Sequence, residues 1–385
     1  MSWESAHQWL VNTRPVRRVV DAVLRRRARG QLVELDYQYV ARSQARILRG
    51  LVHRARATLF GREHDFHRIR TPEDFRRLVP LQTADDLRCN GLQPGACMAT
   101  ELAGGHYRSA LTALGLIGEA RPHARPLLGS ILFVHEAESV AQASLTTRPI
   151  VRRLLAFAPG LPSAESDDYL HMGVTAAGGQ AGRLVEFFAD AKRATGRDHI
   201  ADIWPGLAAV LYAPGPNESD LAALLGDIGT SPGPLLLEAC WRAEGPIAVE
   251  HPRYGLMRLL TDHGVYFEFV PIEDLGKPQP TRHTATEVEP GVVYVVAMTS
   301  AAGVWARLTD VTVRFERRDP PLLQRLHVES HCALRAHRAR RDQFLIASPP
   351  HPFMAQPPHP RNGDSLAAPP GTSGRSLWSA RAGRG

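Results

Sequence analysis

Two acids stand at the ends of apolar runs in the stretch Leu235–Arg317, and their positions suggest ligand chemistry. Glu244 follows the run Pro234–Ala239 within a few residues, and Asp310 directly precedes the strand-like Val311–Phe315. In open α/β sheets, ligands bind at the loops that leave strand ends. Carboxylates in such places serve a metal ion and a ribose, or they simply cap turns. Asp262-His263-Gly264 reads as a tight turn before a strand rather than as a catalytic pair. No Ser or Cys stands in a nucleophile-elbow context.

The surrounding residues form an ordered set of short motifs. Near the start come Thr58-Leu59-Phe60-Gly61-Arg62-Glu63-His64-Asp65-Phe66, then Ile69, Phe75 and Val79-Pro80. Thr195-Gly196-Arg197-Asp198 leads into Ile203-Trp204-Pro205-Gly206-Leu207. Later come Cys240-Trp241-Arg242-Ala243-Glu244-Gly245, Tyr266-Phe267-Glu268-Phe269-Val270-Pro271, Thr299–Trp305 and Arg307-Leu308-Thr309-Asp310. In this order, over most of the chain, they resemble the Gretchen Hagen family of auxin-responsive acyl-acid amido synthetases, which are adenylate-forming enzymes.

The resemblance implies ATP and Mg2+ as cofactors, and small carboxylic acid and amine substrates. Glu244 would match the family's metal-binding glutamate, and magnesium commonly takes one carboxylate plus phosphate oxygens. Arg307 would contact a phosphate or the acyl carboxylate, or pair with Asp310. Asp310 would hold ribose hydroxyls, with Ala243, Gly245 and Trp241 beside the nucleotide. Several positions depart from the pattern. Ala243 replaces a serine, Thr309 replaces a glycine, and the Gly303–Asp310 spacing is one residue short. The family's Ser/Thr/Gly-rich phosphate loop has no counterpart: Ala103-Gly104-Gly105-His106 falls at its place without hydroxyls or lysine, and Thr146-Thr147-Arg148 lacks the glycines. Gly173–Arg183 is glycine-rich and opens a helix, which suits either a phosphate or an ordinary glycine turn. No lysine follows Lys277, so a small C-terminal lid domain with its catalytic lysine is expected to be missing.

The elements that must place these residues follow from periodicity. Pro234–Ala239, Val265–Pro271 and Gly291–Met298 read as neighbouring strands, the first and third apolar throughout as in a sheet covered on both faces. Helix–strand alternation from Leu184 to Phe315 includes a helix over Leu184–Ala194, a strand over Ala208–Tyr212 and a helix over Glu218–Leu225. The expected class is α/β: an adenylate-forming-type large domain with mixed sheets flanked by helices. Residues 1–70 form a helical N-terminal segment packed on a main domain of residues 71–320. In that segment Val11, Val16, Val19, Val20, Val23 and Leu24 make an apolar stripe, read as the side that packs, and a second helix covers Leu35–Thr58. Thr71 caps a helix that has Pro72 in its first turn. Residues 321–344 read as an arginine-rich helix and 345–385 as a disordered Pro/Gly/Ser-rich tail.

The chain has 385 residues, 44% of them hydrophobic, enough for one large core or two modest ones. Its net charge is +7, but lysine occurs only at Lys192 and Lys277. That arginine bias reads as compositional, so neither nucleic acid nor a membrane is expected as partner. The N-terminus shows no signal peptide. Four cysteines fit no zinc or disulfide spacing, as expected of reduced thiols in a cytoplasmic protein. Two functions follow. The first is an amido synthetase that activates a carboxylic acid with ATP and passes the acyl group to an amine. The alternative is an inactive descendant that keeps a cleft for a small molecule or a protein.

Overall fold

The computed structural model describes residues 13–83, 96–135, 155–159, 170, 173–215, 218–226, 233–242 and 244–326, all within one compact unit. Eleven strands form a single mixed sheet: β1 (Ser130–His135), β2 (Leu155–Pro159), β3 (Val174–Gln180), β4 (Ala209–Ala213), β5 (Leu235–Arg242), β6 (Gly245–His251), β7 (Leu256–Leu259), β8 (Val265–Pro271), β9 (Val293–Ser300), β10 (Val304–Arg318) and β11 (Pro321–Leu326). Their order is β2-β1-β3-β4-β5-β6-β7-β11-β10-β9-β8. The helices are α1 (Arg14–Tyr37), α2 (Val40–Ala55), α3 (Leu59–Glu63), α4 (Pro72–Leu78), α5 (Ala96–Ala120), α6 (Ala181–Thr195), α7 (Ile200–Ile203) and α8 (Glu218–Gly226).

The strand β5 joins two kinds of sheet. Its first half, Leu235–Glu238, pairs parallel with β4. Its second half, Ala239–Arg242, pairs antiparallel with β6. The parallel half β2-β1-β3-β4-β5 buries α6 through Leu184, Phe187 and Phe188. The antiparallel half curls, so that Cys240 of β5, Ile247 of β6, Phe267 of β8 and Val313 of β10 share one core. Burial inside it pushes the Cys240 thiol up to about 12, which makes that cysteine an inert apolar filler. Cys89 and Cys332 lie outside the described residues. Among the described residues no helix is long and apolar enough to cross a membrane.

Several expectations change. Only β8 and β9 of the three anticipated strands are neighbours, because β6, β7, β11 and β10 separate them from β5. The glycine-rich segment after Gly173 is neither a turn nor a phosphate loop but β3, an inner strand, and the helix begins only at Ala181. Gly179 lets two backbones approach: a Cβ there would lie 2.2 Å from the Val134 carbonyl oxygen. Ala103–His106 lies inside helix α5, and a Cβ on Gly105 would lie 2.3 Å from the His263 carbonyl oxygen. Residues 321–326 form a strand instead of starting a helix, because Leu322 and Leu323 are buried between β10 and β7. The rest of the 321–344 helix and the whole 345–385 tail lie outside the described residues. The break between the first two helices falls at Gln38 and Tyr39.

The N-terminal motif explains itself residue by residue. The Thr58 hydroxyl accepts from the Gly61 N–H at 3.1 Å and caps α3. Gly61 has no room for a side chain, since a Cβ would lie 2.2 Å from the Ala55 carbonyl oxygen. Phe60 stacks on His64 at 4.0 Å and on Trp305 at 6.0 Å, while Phe66 meets Trp305 edge-on at 4.7 Å. A capping box at Thr71 and Asp74 starts α4, as expected. The motif thus anchors the N-terminal helices to β10, the strand that carries Arg307 and Asp310.

Helix α5 contains a histidine whose burial works against the fold. His106 is buried and its Nε2 has no hydrogen-bond partner. Burial pulls its pKa from 6.5 down to about 4. Above pH 6.5 the ring is neutral in both folded and unfolded chains, and stability is unaffected. As the pH falls from 6.5 towards 4, the unfolded chain takes a proton that the folded one refuses. Stability should therefore decline over that window by about 3 kcal/mol, each tenfold change in proton affinity being worth about 1.4 kcal/mol. Urea melts at pH 7 and pH 5 on the wild type and on His106→Gln check this, and the variant should lose the smaller amount.

Candidate functional site

The acid Glu244 occupies the tight turn between β5 and β6, since β5 runs on through Trp241 and Arg242. Ala243 lies outside the described residues. Gly245 opens β6 with φ at 147°, a backbone that side-chain-bearing residues rarely adopt. The Ser300 hydroxyl at the end of β9 donates to the Glu244 carbonyl oxygen and fixes the turn.

Asp310 is not a turn residue before a strand but sits within β10. The register against β9 shifts between Val304 and Arg307 and again between Leu308 and Thr312. Such bulges re-aim side chains. In the second one the Thr309 hydroxyl donates to the Val296 carbonyl oxygen at 2.8 Å and accepts from the Val311 N–H at 3.1 Å. A threonine in place of the family's glycine therefore supplies the hydrogen bonds that the interrupted ladder loses. In the first, Ala306 is buried with φ at 45°, a left-handed conformation that costs a residue with a Cβ about 1–2 kcal/mol. Gln82 lines up beside Arg307 as a short parallel bridge: its N–H donates to Ala306 at 3.0 Å, and its carbonyl accepts from Leu308 at 2.8 Å.

These distortions bring the charges together. Arg307 pairs with Glu244, not with Asp310 as the sequence allowed. Asp310 pairs instead with Arg242, Nη2 to Oδ1 at 2.7 Å. Burial lowers the pKa of Arg307, the nearby Asp310 opposes that shift, and Arg242 adds to it. The four groups thus form one patch at the end of β5, half exposed to solvent at Asp310. The two acids meet in one place. Arg242 was not anticipated, although its position two residues before Glu244 was the available signal.

Trp241, next to Arg242, faces α5 instead. Its indole N–H donates to the buried Ser109 hydroxyl at 2.7 Å. The ring lines a cavity of about 110 Å³, enclosed with Tyr107, Leu111, Leu114, Ala177 and Gly178. Apolar side chains make up nearly all of the cavity wall. Small residues on β3 make that wall flat.

The Asp262-His263 turn is structural. His263 Nε2 lies 3.0 Å from the Thr112 hydroxyl, and Asp262 Oδ1 lies 2.5 Å from His263 Nδ1. Nucleophile, base and acid types are in sequence, but Thr112 and His263 are fully buried and do not line the cavity under Trp241. They pin α5 to the turn between β7 and β8.

The resemblance implies magnesium and ATP, and the donor set tests that. Magnesium demands hard oxygen ligands in octahedral array. Here each carboxylate is already neutralised by a guanidinium. No group of three His, Cys, Asp or Glu side chains converges among the described residues. Glu244 could hold a magnesium ion only in exchange for its Arg307 partner, with the remaining oxygens supplied by phosphate.

Comparison with known proteins places this geometry. The GH3 family N-terminal domain matches residues 30–89, and the GH3 family central domain matches residues 258–322. A solved structure described as GH3.15 acyl acid amido synthetase superposes with a TM-score of 0.52 at 13% identity, covering 76% of this chain and 69% of that one. Another, AtGH3.15 acyl acid amido synthetase in complex with 2,4-DB, gives a TM-score of 0.55 at 12% identity, covering 77% and 70%. At this identity the likeness is one of fold: a mixed α/β sheet flanked by helices. No curated protein matches the sequence.

Proposed function

The chain belongs to the GH3 family as a divergent member, and on that premise we propose that it is an amido synthetase-like protein that binds a small carboxylic acid with an apolar body. The observation that carries this reading is the apolar cavity under Trp241, walled by Leu111, Leu114, Ala177 and Gly178. An apolar acid needs a dry concave wall for its body and a cationic partner for its head. A solved structure that superposes on this chain is described in complex with 2,4-DB, which supports a small-molecule ligand for the shared fold.

In this proposal the walls of α5 and β3 exclude water from the acid's body, and Ser109 holds the Trp241 ring in one orientation. Arg242 and Arg307 supply positive charge at the strand end. Glu244 and Asp310 keep those guanidiniums in place through their ion pairs. No step runs through magnesium, because the carboxylates are engaged.

Catalysis is the second reading, favoured by the family's domains: activation of the acid by ATP, then transfer to an amine. ATP–pyrophosphate exchange with a panel of carboxylic acids separates the two. The binding reading expects exchange at background while the same acids bind. Exchange above background that disappears in Glu244→Ala and Asp310→Ala would establish the synthetase and refute the binding-only assignment.

A further inference from the structure

The first helix packs by a different side from the one its valines suggest. Its buried residues are Asp21, Ala28, Gln31, Leu32 and Leu35. Val19, Val23 and Val33 stay 63%, 47% and 55% exposed, and Tyr37 is 84% exposed. Of the large apolar side chains that remain exposed among the described residues, only Leu59 and Tyr254 lie away from this helix and its end at Tyr39. At about 100° per residue, Val19, Val23, Arg26, Gly30, Val33 and Tyr37 fall in one line, opposite the docked face. Arg18 lies on one flank of that line with Arg29, and Arg27 lies on the other, all exposed.

The charge on this face has one sign over most of its length. Between Arg14 and Val33 the helix carries a single acid, Asp21, which is buried and paired with Arg25 at 3.9 Å. Beyond the helix end, exposed Arg42, Arg46 and Arg49 of α2 continue the positive charge. A second copy of the chain would bring arginine against arginine along the same line. A protein groove would bury Arg26 in the middle of an apolar seam. A lipid surface avoids both, because the valines enter the interface while Arg26 and the flanking arginines extend outward to the phosphates. Arginine also meets phosphate oxygens with two parallel hydrogen bonds.

We propose that the exposed face of α1 is a docking surface for an anionic lipid bilayer, on which the helix lies flat while its opposite face stays packed on α5. The surface is separate from the acid cavity, and its assignment does not depend on the proposed function.

Flotation of the full chain with vesicles tests it. Phosphatidylcholine vesicles containing phosphatidylserine should carry the protein, pure phosphatidylcholine vesicles should not, and raised salt should release it. Arg27→Gln/Arg29→Gln should lower partitioning about thirtyfold, since each basic residue near the surface contributes about fivefold. Val19→Asp/Val23→Asp should lower it as well. Unchanged thermal melts of both variants would show that the fold is intact. Equal binding to neutral and anionic vesicles, or no loss in either variant, would overturn the proposal. So would a dimer on size-exclusion chromatography that Val19→Asp/Val23→Asp dissolves.

Discussion

Arg282→Met should destabilise the protein by about 3–5 kcal/mol, the usual cost of leaving one member of a buried ion pair without its partner. Arg282 is buried, and its Nη2 donates to Glu268 Oε2 at 2.5 Å. Its Nη1 donates to the Val79 carbonyl oxygen at 2.6 Å and to that of Arg76 at 3.3 Å. The guanidinium also lies over the Phe75 ring at 5.5 Å. Burial raises the Glu268 carboxyl pKa, and Arg282 opposes that shift. Without Arg282 the acid must either take a proton or remain charged in the core. Replacing both, as Glu268→Leu/Arg282→Met, should recover a large part of the loss, because apolar substitutes for a whole buried pair are often neutral or better. Chemical denaturation of the two single variants and the double variant measures the coupling.

Trp204→Ala should be nearly as damaging, at about 3–5 kcal/mol for a large aromatic removed from a core. Trp204 is buried, stacked on Phe187 at 5.7 Å with an interplanar angle of 6°, and meets Phe188 at 6.0 Å. It closes the core beneath the parallel half of the sheet, where Leu184, Val210 and Leu221 also pack. Trp204→Phe should cost much less, since it keeps a ring on Phe187. Thermal melts of the two variants give the comparison.

Trp204 belongs to a motif legible in the sequence, as does Glu268, the partner of Arg282, and the role of both is packing. The Glu268 of Tyr266–Pro271 holds Arg282, which in turn holds the carbonyls of the segment ending at Val79. One family-like motif is thereby tied to another far away in the chain. Phe60 and Phe66 do the same with Trp305. Order along the chain therefore identified the fold well, because such clamps constrain many residues at once. The site was less legible. Glu244 and Asp310 stand out in the sequence, but their partners do not, since ion-pair choice depends on two bulges in β10 that no periodicity announces. The glycines of Gly173–Gly179 look like a loop because the demand on Gly179, close approach to β1, is long-range. The valines of α1 misled for a similar reason. Amphipathic spacing shows that a helix has an apolar side but not whether that side meets the core.

Calorimetric titration of the purified chain with apolar carboxylic acids tests the central assignment most directly, run in parallel on Gly178→Leu, whose side chain would enter the cavity under Trp241. Saturable binding by the wild type that Gly178→Leu abolishes, with its melt unchanged, is the predicted result. No heat of binding from any acid, or the same affinity in the filled variant, would contradict the account.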